Sequence, residues 1–314
     1  MSQTVASFQR CPRCGNENTA DSFACNFCGF RLKVERIEKI KFFRRYEAEW
    51  TAPSSWYRKI FYLFVNAPRA FHDINHKRSK APGWLIVLFC SLLYGLMGLA
   101  FFSHFDFGFP TFSIDQFIFS FSFFVSFFVF GFCFQAVFFG ILIWLFSKGA
   151  NYAVGFSDKL ERRFEGIGKG KDKAKYKETD ISPFSIYKGG TMLRIEGAYK
   201  FKMLLCAFTP FLLINAIKIL IVLFAFTNVN VPDISIFDDP ILASDILVAI
   251  FEAPIWAVLD VIDALTIAIW VPVLMTLAIR ELSNSSTTRV LISTIIVGVI
   301  VAVLFYFLRP TLFG

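Results

Sequence analysis

The chain has 314 residues, of which 56% are hydrophobic and only 18% charged, with 42 Phe and a mean hydropathy of +0.57. Soluble domains carry about 25% charged residues. The long uncharged runs therefore exclude a soluble enzyme, a disordered chain and a collagen-like fibre, and leave a multi-pass membrane protein, on which the formal charge of +8 is unexpected.

No apolar signal core lies between Met1 and Arg10, so the first span is expected to serve as the targeting signal. Four cysteines follow, as Cys11-Pro12-Arg13-Cys14-Gly15 and, ten residues on, Cys25-Asn26-Phe27-Cys28-Gly29. Each knuckle turns two thiols toward one point, and Gly tolerates the turn. Four thiolates make a closed tetrahedral site without an open position for water, which predicts one structural Zn2+ ion held by Cys11, Cys14, Cys25 and Cys28. Binding would supply the folding free energy of a segment too short for a core. A disulfide pair or a redox C-x-x-C is the competing chemistry, and the basic flank argues against it by pointing to the reducing cytoplasm. The run 10–32 resembles the small zinc ribbons that open many prokaryotic membrane proteins, which implies a cytoplasmic adaptor. Cys90, Cys133 and Cys206 stand singly and read as buried small residues.

Residues 33–80 form a basic linker. Val34, Ile37, Ile40, Phe43, Tyr46 and Trp50 recur at three- and four-residue steps, which predicts an amphipathic helix over 31–50. It fits the membrane interface or a helical hairpin packed on itself. Over 54–65, Trp56, Tyr57, Arg58 and Lys59 have the composition of an interfacial helix, with aromatics at headgroup level and cations on anionic lipid. Basic residues near a span need no nucleic acid to explain them, and none is expected as a partner. His72 and His76 share a helical face but lack a third ligand, which predicts a solvated face.

Uncharged runs predict spans at about 83–104, 117–147, 203–227, 254–279 and 289–309, since about 20 residues cross the hydrocarbon core. The second is long and is expected to tilt or to extend beyond the bilayer. Its Ser122, Ser126, Gly131 and Gln135 are either packing positions or diluents of a Phe-rich lipid face. Residues 1–80 carry a net +8 and the loop 148–202 a net +6, whereas the Asp106–Asp115 loop and the segment with Asp233, Asp238, Asp239 and Asp245 are acidic. The positive-inside rule then predicts a cytoplasmic N-terminus and an outside C-terminus. The glycines at 166, 168 and 170 before Lys171 lack the spacing and the Ser or Thr of a phosphate loop, so 166–180 reads as a basic tether. No nucleophile–base set stands out, and no catalytic residue is expected.

Lys218 in the third span and Asp263 in the fourth lie at similar depth, with Asp260 one turn further out. Intramembrane charges are costly and mark functional candidates. A Lys218–Asp263 pair is predicted, with Asp260 as alternate partner, acting as a clasp between spans or as part of a solute or ion pathway. Pro254 is expected to end a short helix at 241–252, and Pro272 to kink the fourth span.

Ala67-Pro68-Arg69-Ala70-Phe71 with Ile74, then Gly83-Trp84 opening a span, resembles the start of the Yip-domain family of five-span membrane proteins. The run from Tyr199 to Ala207-Phe208-Thr209-Pro210 and that from Leu277-Ala278-Ile279-Arg280-Glu281-Leu282 through Ser285 to Arg289 are similar to later junctions of that family. The resemblance covers about 60–312. The acidic and Tyr-Gly motifs of the eukaryotic members are missing, so the nearer match is the prokaryotic branch with an added ribbon. The resemblance implies the five-span fold, an N-in topology and a non-enzymatic role in membrane organisation or trafficking; the cytoplasmic protein partner is expected from the ribbon, and the missing motifs put a small GTPase in doubt as that partner. The sequence thus describes an all-α polytopic membrane protein, with a zinc ribbon over 1–32, the linker 33–80 and a five-span domain over 81–314. It would sit in the plasma membrane of a prokaryotic cell.

Overall fold

The computed structural model describes residues 8–25, 28–46, 54–76, 81–106, 114–156, 192–230 and 253–313. The tether 166–180, the helix expected at 241–252 and the four acidic residues 233–245 lie outside them. Among the described residues, five helices are long and apolar enough to cross a membrane: Gly83–Phe102, Gln116–Val154, Ala198–Ala225, Ile255–Ser283 and Thr287–Phe307. The protein is an all-α polytopic membrane protein, and each of the five helices overlaps one of the expected spans.

Two short strands, β1 (Phe8–Arg10) and β2 (Glu17–Thr19), pair antiparallel around the first cysteine knuckle. Helices α1 (Trp56–Val65) and α2 (Ala67–His76) precede the first span, α3 (Gly83–Phe102). Strand β3 (Phe105–Asp106) follows it, and α4 (Ile114–Val154) is one continuous helix of 41 residues. At about 1.5 Å per residue it is roughly 60 Å long, twice the hydrocarbon thickness, which bears out the long second span. The third span consists of α5 (Met192–Leu205), a single 3-10 turn and α6 (Pro210–Ala225). Pro210 has no N–H to continue the first segment and takes the first position of the second. Strand β4 (Val229–Asn230) pairs parallel with β3.

The fourth span is α7 (Ile255–Leu265), a π-helical turn at Thr266–Trp270 and α8 (Val271–Ser283). The π turn is the local consequence of Pro272. A proline ring clashes with the carbonyl four residues before it and offers no N–H, and here the Val271 N–H instead reaches back five residues to the Thr266 carbonyl. Pro254 precedes α7 as its N-cap. The last helix is α9 (Thr287–Phe313).

The chain divides into two compact units. The first comprises Met1–Gly83, Ile143–Ala207 and Val273–Thr294. In it α1 packs on α2, and the α8–α9 turn is held by the linker. Over 31–46, the described part of 31–50, the expected amphipathic helix does not form: short 3-10 turns occupy Arg36–Lys39 and Lys41–Phe43. Val34 and Ile40, two of the periodic apolar positions, are 65% and 56% exposed, whereas Glu38 and Arg45 are buried. Long-range polar partners thus overrode the apolar periodicity.

The second unit comprises Trp84–Leu142, Phe208–Pro272 and Ile295–Gly314. Its buried centre is Met97, Ala100, Val222, Phe226, Ile255 and Leu259. Phe101 sits over this cluster, with ring centroids 4.8 Å from Phe226 and 5.8 Å from Trp256. Along α4, Phe124–Phe128, Phe130–Phe134 and Phe134–Phe138 stack at one-turn spacing with interplanar angles of 10° or less. Gly131 lets Tyr94 lie against the α4 backbone, and Gln135 is buried with its Oε1 3.5 Å from Ser91 Oγ. Ser122 and Ser126 are exposed. The four small or polar positions therefore divide, the later two packing and the earlier two diluting the Phe face. Cys90 and Cys206 are buried as expected, but Cys133 is exposed on α4, because the helix turns that side away from the unit's core.

Candidate metal centre and intramembrane ion pair

The two knuckles close by backbone hydrogen bonds from Gly15 N–H to the Cys11 carbonyl and from Gly29 N–H to the Cys25 carbonyl, each 2.9 Å. Gly15 and Gly29 have φ of 73° and 69°, the left-handed region that glycine enters without strain. The four Sγ atoms of Cys11, Cys14, Cys25 and Cys28 all lie within 4.8 Å of one another. Cys11–Cys28 and Cys14–Cys25 are each separated by 3.6 Å. A tetrahedral tetrathiolate with bonds of about 2.3 Å places its sulfurs roughly 3.8 Å apart, so the donor set and its spacing fit a metal ion. The Asn18 amide lies 3.5 Å from Cys25 Sγ and can donate to it. Burial, and then the neighbouring thiols, push the Cys28 thiol up to about 12. Cys14 is exposed and the first knuckle faces outward, whereas Cys11 and Cys25 are buried.

The second knuckle is fixed to the α8–α9 turn. Asn284, with φ of 51°, is the left-handed residue that ends α8. Its Oδ1 accepts from the Ala24 N–H at 2.9 Å, and its Nδ2 donates to the Ala24 carbonyl at 2.5 Å. One amide thus serves both backbone groups of the residue before Cys25. Arg45 stacks over the Phe23 ring at 5.4 Å, donates to the Ser285 carbonyl at 2.5 Å and pairs with Glu38 at 2.8 Å. Glu35 accepts from Ser286 Oγ and from the Thr287 and Thr288 N–H groups at 2.6 and 3.3 Å. A carboxylate borrowed from the linker therefore caps α9, satisfying donors that the helix itself leaves open.

Arg280 completes this junction. It is fully buried and donates to the Phe43 and Arg44 carbonyls and to Thr287 Oγ1. Its Nε is 3.8 Å from Glu281 Oε1. The Asn75 amide donates to the Glu281 carbonyl at 2.6 Å. His72 is buried, with Nδ1 4.0 Å from Glu281 Oε2 and its ring tilted on Tyr46, so the solvated face expected for it is corrected. The reason is that α2 turns this residue inward against Glu281.

Of the residues expected at the lipid interface, Trp56 and Tyr57 are 47% and 55% exposed, and Arg58 is exposed beside them. Lys59 is different. It is buried, 3.8 Å from Asp73, whose Oδ2 also accepts the Ser54 N–H. It lies on the side of α1 that packs against α2.

In the second unit, Lys218 Nζ lies 2.8 and 3.0 Å from the two oxygens of Asp263. The side chains are 7% and 17% exposed, so the charge is compensated within the protein. Asp260 is one turn earlier on α7. Asp263 stands at the last turn of α7, where the Thr266 N–H is shared between the Asp263 and Ile262 carbonyls as the π turn begins.

The cysteines and the ion pair were readable from spacing and depth. Asn284, Glu35, Glu38 and Arg45 were not, since apart from the Glu38–Arg45 pair their partners lie 240 to 260 residues away. A polar residue that can adopt φ > 0 between two helical runs was the one available sign of Asn284. Comparison with family models, curated proteins and solved structures finds no match.

Proposed function

We propose that the protein is a non-enzymatic membrane scaffold that binds one structural Zn2+ through Cys11, Cys14, Cys25 and Cys28 and recruits a cytoplasmic protein through its ribbon. The observation that carries this reading is the asymmetry of the ribbon. The second knuckle is occupied by the α8–α9 turn, while the first presents Pro12, Arg13, Cys14 and Asn16 outward. Four thiolates leave no open coordination position, which suits an architectural role.

In this proposal the N-terminus lies in the cytoplasm of a prokaryotic cell with the spans in its plasma membrane, which the basic residues of 1–80 and, less strictly, of the long 148–202 loop support. Trp56, Tyr57 and Arg58 orient the head on anionic lipid. The Yip-like resemblance supports a part in membrane organisation or trafficking. The close Lys218–Asp263 contact favours a clasp between spans over the alternative of a solute or ion pathway.

Crosslinking pull-downs with the intact protein and with Cys11→Ser/Cys14→Ser test the scaffold. A protein recovered by the first and lost from the second supports it. The same proteins recovered by both would sink it.

A further inference from the structure

We infer that the metal centre and the α8–α9 turn are energetically coupled, so that metal occupancy controls the order of the N-terminus of the last membrane helix. The inference rests on the metal reading proposed above and is independent of any partner. Three links connect the two places. The Asn284 amide holds both backbone groups of Ala24, the neighbour of the ligand Cys25. Arg45 bridges the Phe23 ring and the Ser285 carbonyl. Glu35, three residues past the end of the ribbon at 1–32, caps Thr287 and Thr288.

The first two links depend on the geometry of the second knuckle, and the third is joined to it through the Lys33 N–H on the Phe23 carbonyl. Ala24 is held in place by its bridge to Arg31, by the Cys25 N–H on the Phe30 carbonyl and by the Leu32 N–H on the Phe23 carbonyl. A segment of this length has little core of its own, and its folding free energy comes from the metal. Metal loss therefore releases Ala24 and Phe23, and with them the groups that Asn284 and Arg45 hold. Binding linkage is reciprocal. The turn that is ordered by the metal must in turn raise the affinity for the metal.

The two halves of that statement are separately measurable on the purified full chain in detergent, with no partner present. Zinc content per chain is measured first. Amide exchange is then followed with bound zinc, after a zinc chelator, and after zinc is returned. Chelation is expected to speed exchange at Thr287 and Thr288 by at least tenfold and to leave 255–265 unchanged, with recovery on return of zinc. Asn284→Gly keeps the left-handed turn accessible but removes both amide bonds. Two such bonds correspond to about a tenfold loss of zinc affinity, read by competition with a chromophoric chelator. Thr287 and Thr288 amides that ignore chelation, or an unchanged affinity in Asn284→Gly, overturn the coupling alone. A chain that takes up no zinc overturns both the coupling and the metal reading, whereas the recruitment reading fails only in the pull-down.

Discussion

The α8–α9 junction and the Phe-rich unit are stabilised by opposite means. The junction buries Arg280, Arg45, Glu38 and Glu281, each against a named charge, carbonyl or amide. The Phe-rich unit buries aromatic and aliphatic side chains and, at its one close ion pair among the described residues, Lys218 against Asp263. Directional bonds specify one arrangement and fail when a single member is removed. Shape-dependent packing spreads a change over many weak contacts. The comparison teaches where each unit is vulnerable: the junction to lost partners, the Phe-rich unit to altered volume.

The largest expected effect lies in the junction. Arg280→Met removes a buried guanidinium that serves two backbone carbonyls, Thr287 and Glu281. Removing one member of a buried charged network costs about 3–5 kcal/mol, so the detergent-solubilised protein should melt well below the parent. A melting temperature within a degree of the parent would show that the junction contributes little.

Lys218→Met carries the same logic into the membrane and should cost about 3 kcal/mol. Adding Asp263→Leu should restore most of it, because two apolar residues leave no uncompensated charge. Strictly additive losses in the double-mutant cycle would argue against the pair as an energetic unit.

These two sites also mark what was legible in the sequence. Lys218 and Asp263 interrupt uncharged runs, and a count along each helix from its charged end puts them at one depth. The cysteine knuckles announce themselves by spacing. The linker did not, because its apolar residues keep a helical period while Val34 and Ile40 point outward. What shapes it is Glu35 on Thr287, Arg45 on Ser285 and Arg280 on the Phe43 carbonyl, pairings across more than 230 residues that no local pattern encodes. Lys59 departs from its composition for a similar reason: its neighbours suit an interface, but its helix face is decided by Asp73.

A smaller effect is expected at the helix cap. Glu35→Ala leaves the Thr287 and Thr288 N–H groups without their carboxylate acceptor. Loss of a cap costs about 1–2 kcal/mol, read as a modest fall in melting temperature with faster amide exchange confined to the start of α9. Faster exchange throughout α9 would instead mean that Glu35 supports the whole helix.

A last pair of substitutions, of which Gly140→Ala has the smallest expected effect, separates volume from propensity in the Phe-rich unit. A methyl group at Gly298 would stand 2.7 Å from the Ile267 carbonyl and closer still to the Pro272 ring, beside the π turn, where backbone must move to admit it. Overpacking of this kind costs about 1–3 kcal/mol. Gly140 on α4 has nothing within 4 Å of the same added methyl. There Gly→Ala gains only the helix preference of alanine, about 1 kcal/mol at most. Gly298→Ala should therefore lower the melting temperature and Gly140→Ala should leave it unchanged or raise it slightly. A loss of equal size at both sites would mean that the Phe-rich unit responds to glycine flexibility rather than to close packing at the π turn. It would then no longer contrast with the junction in the way its contacts imply.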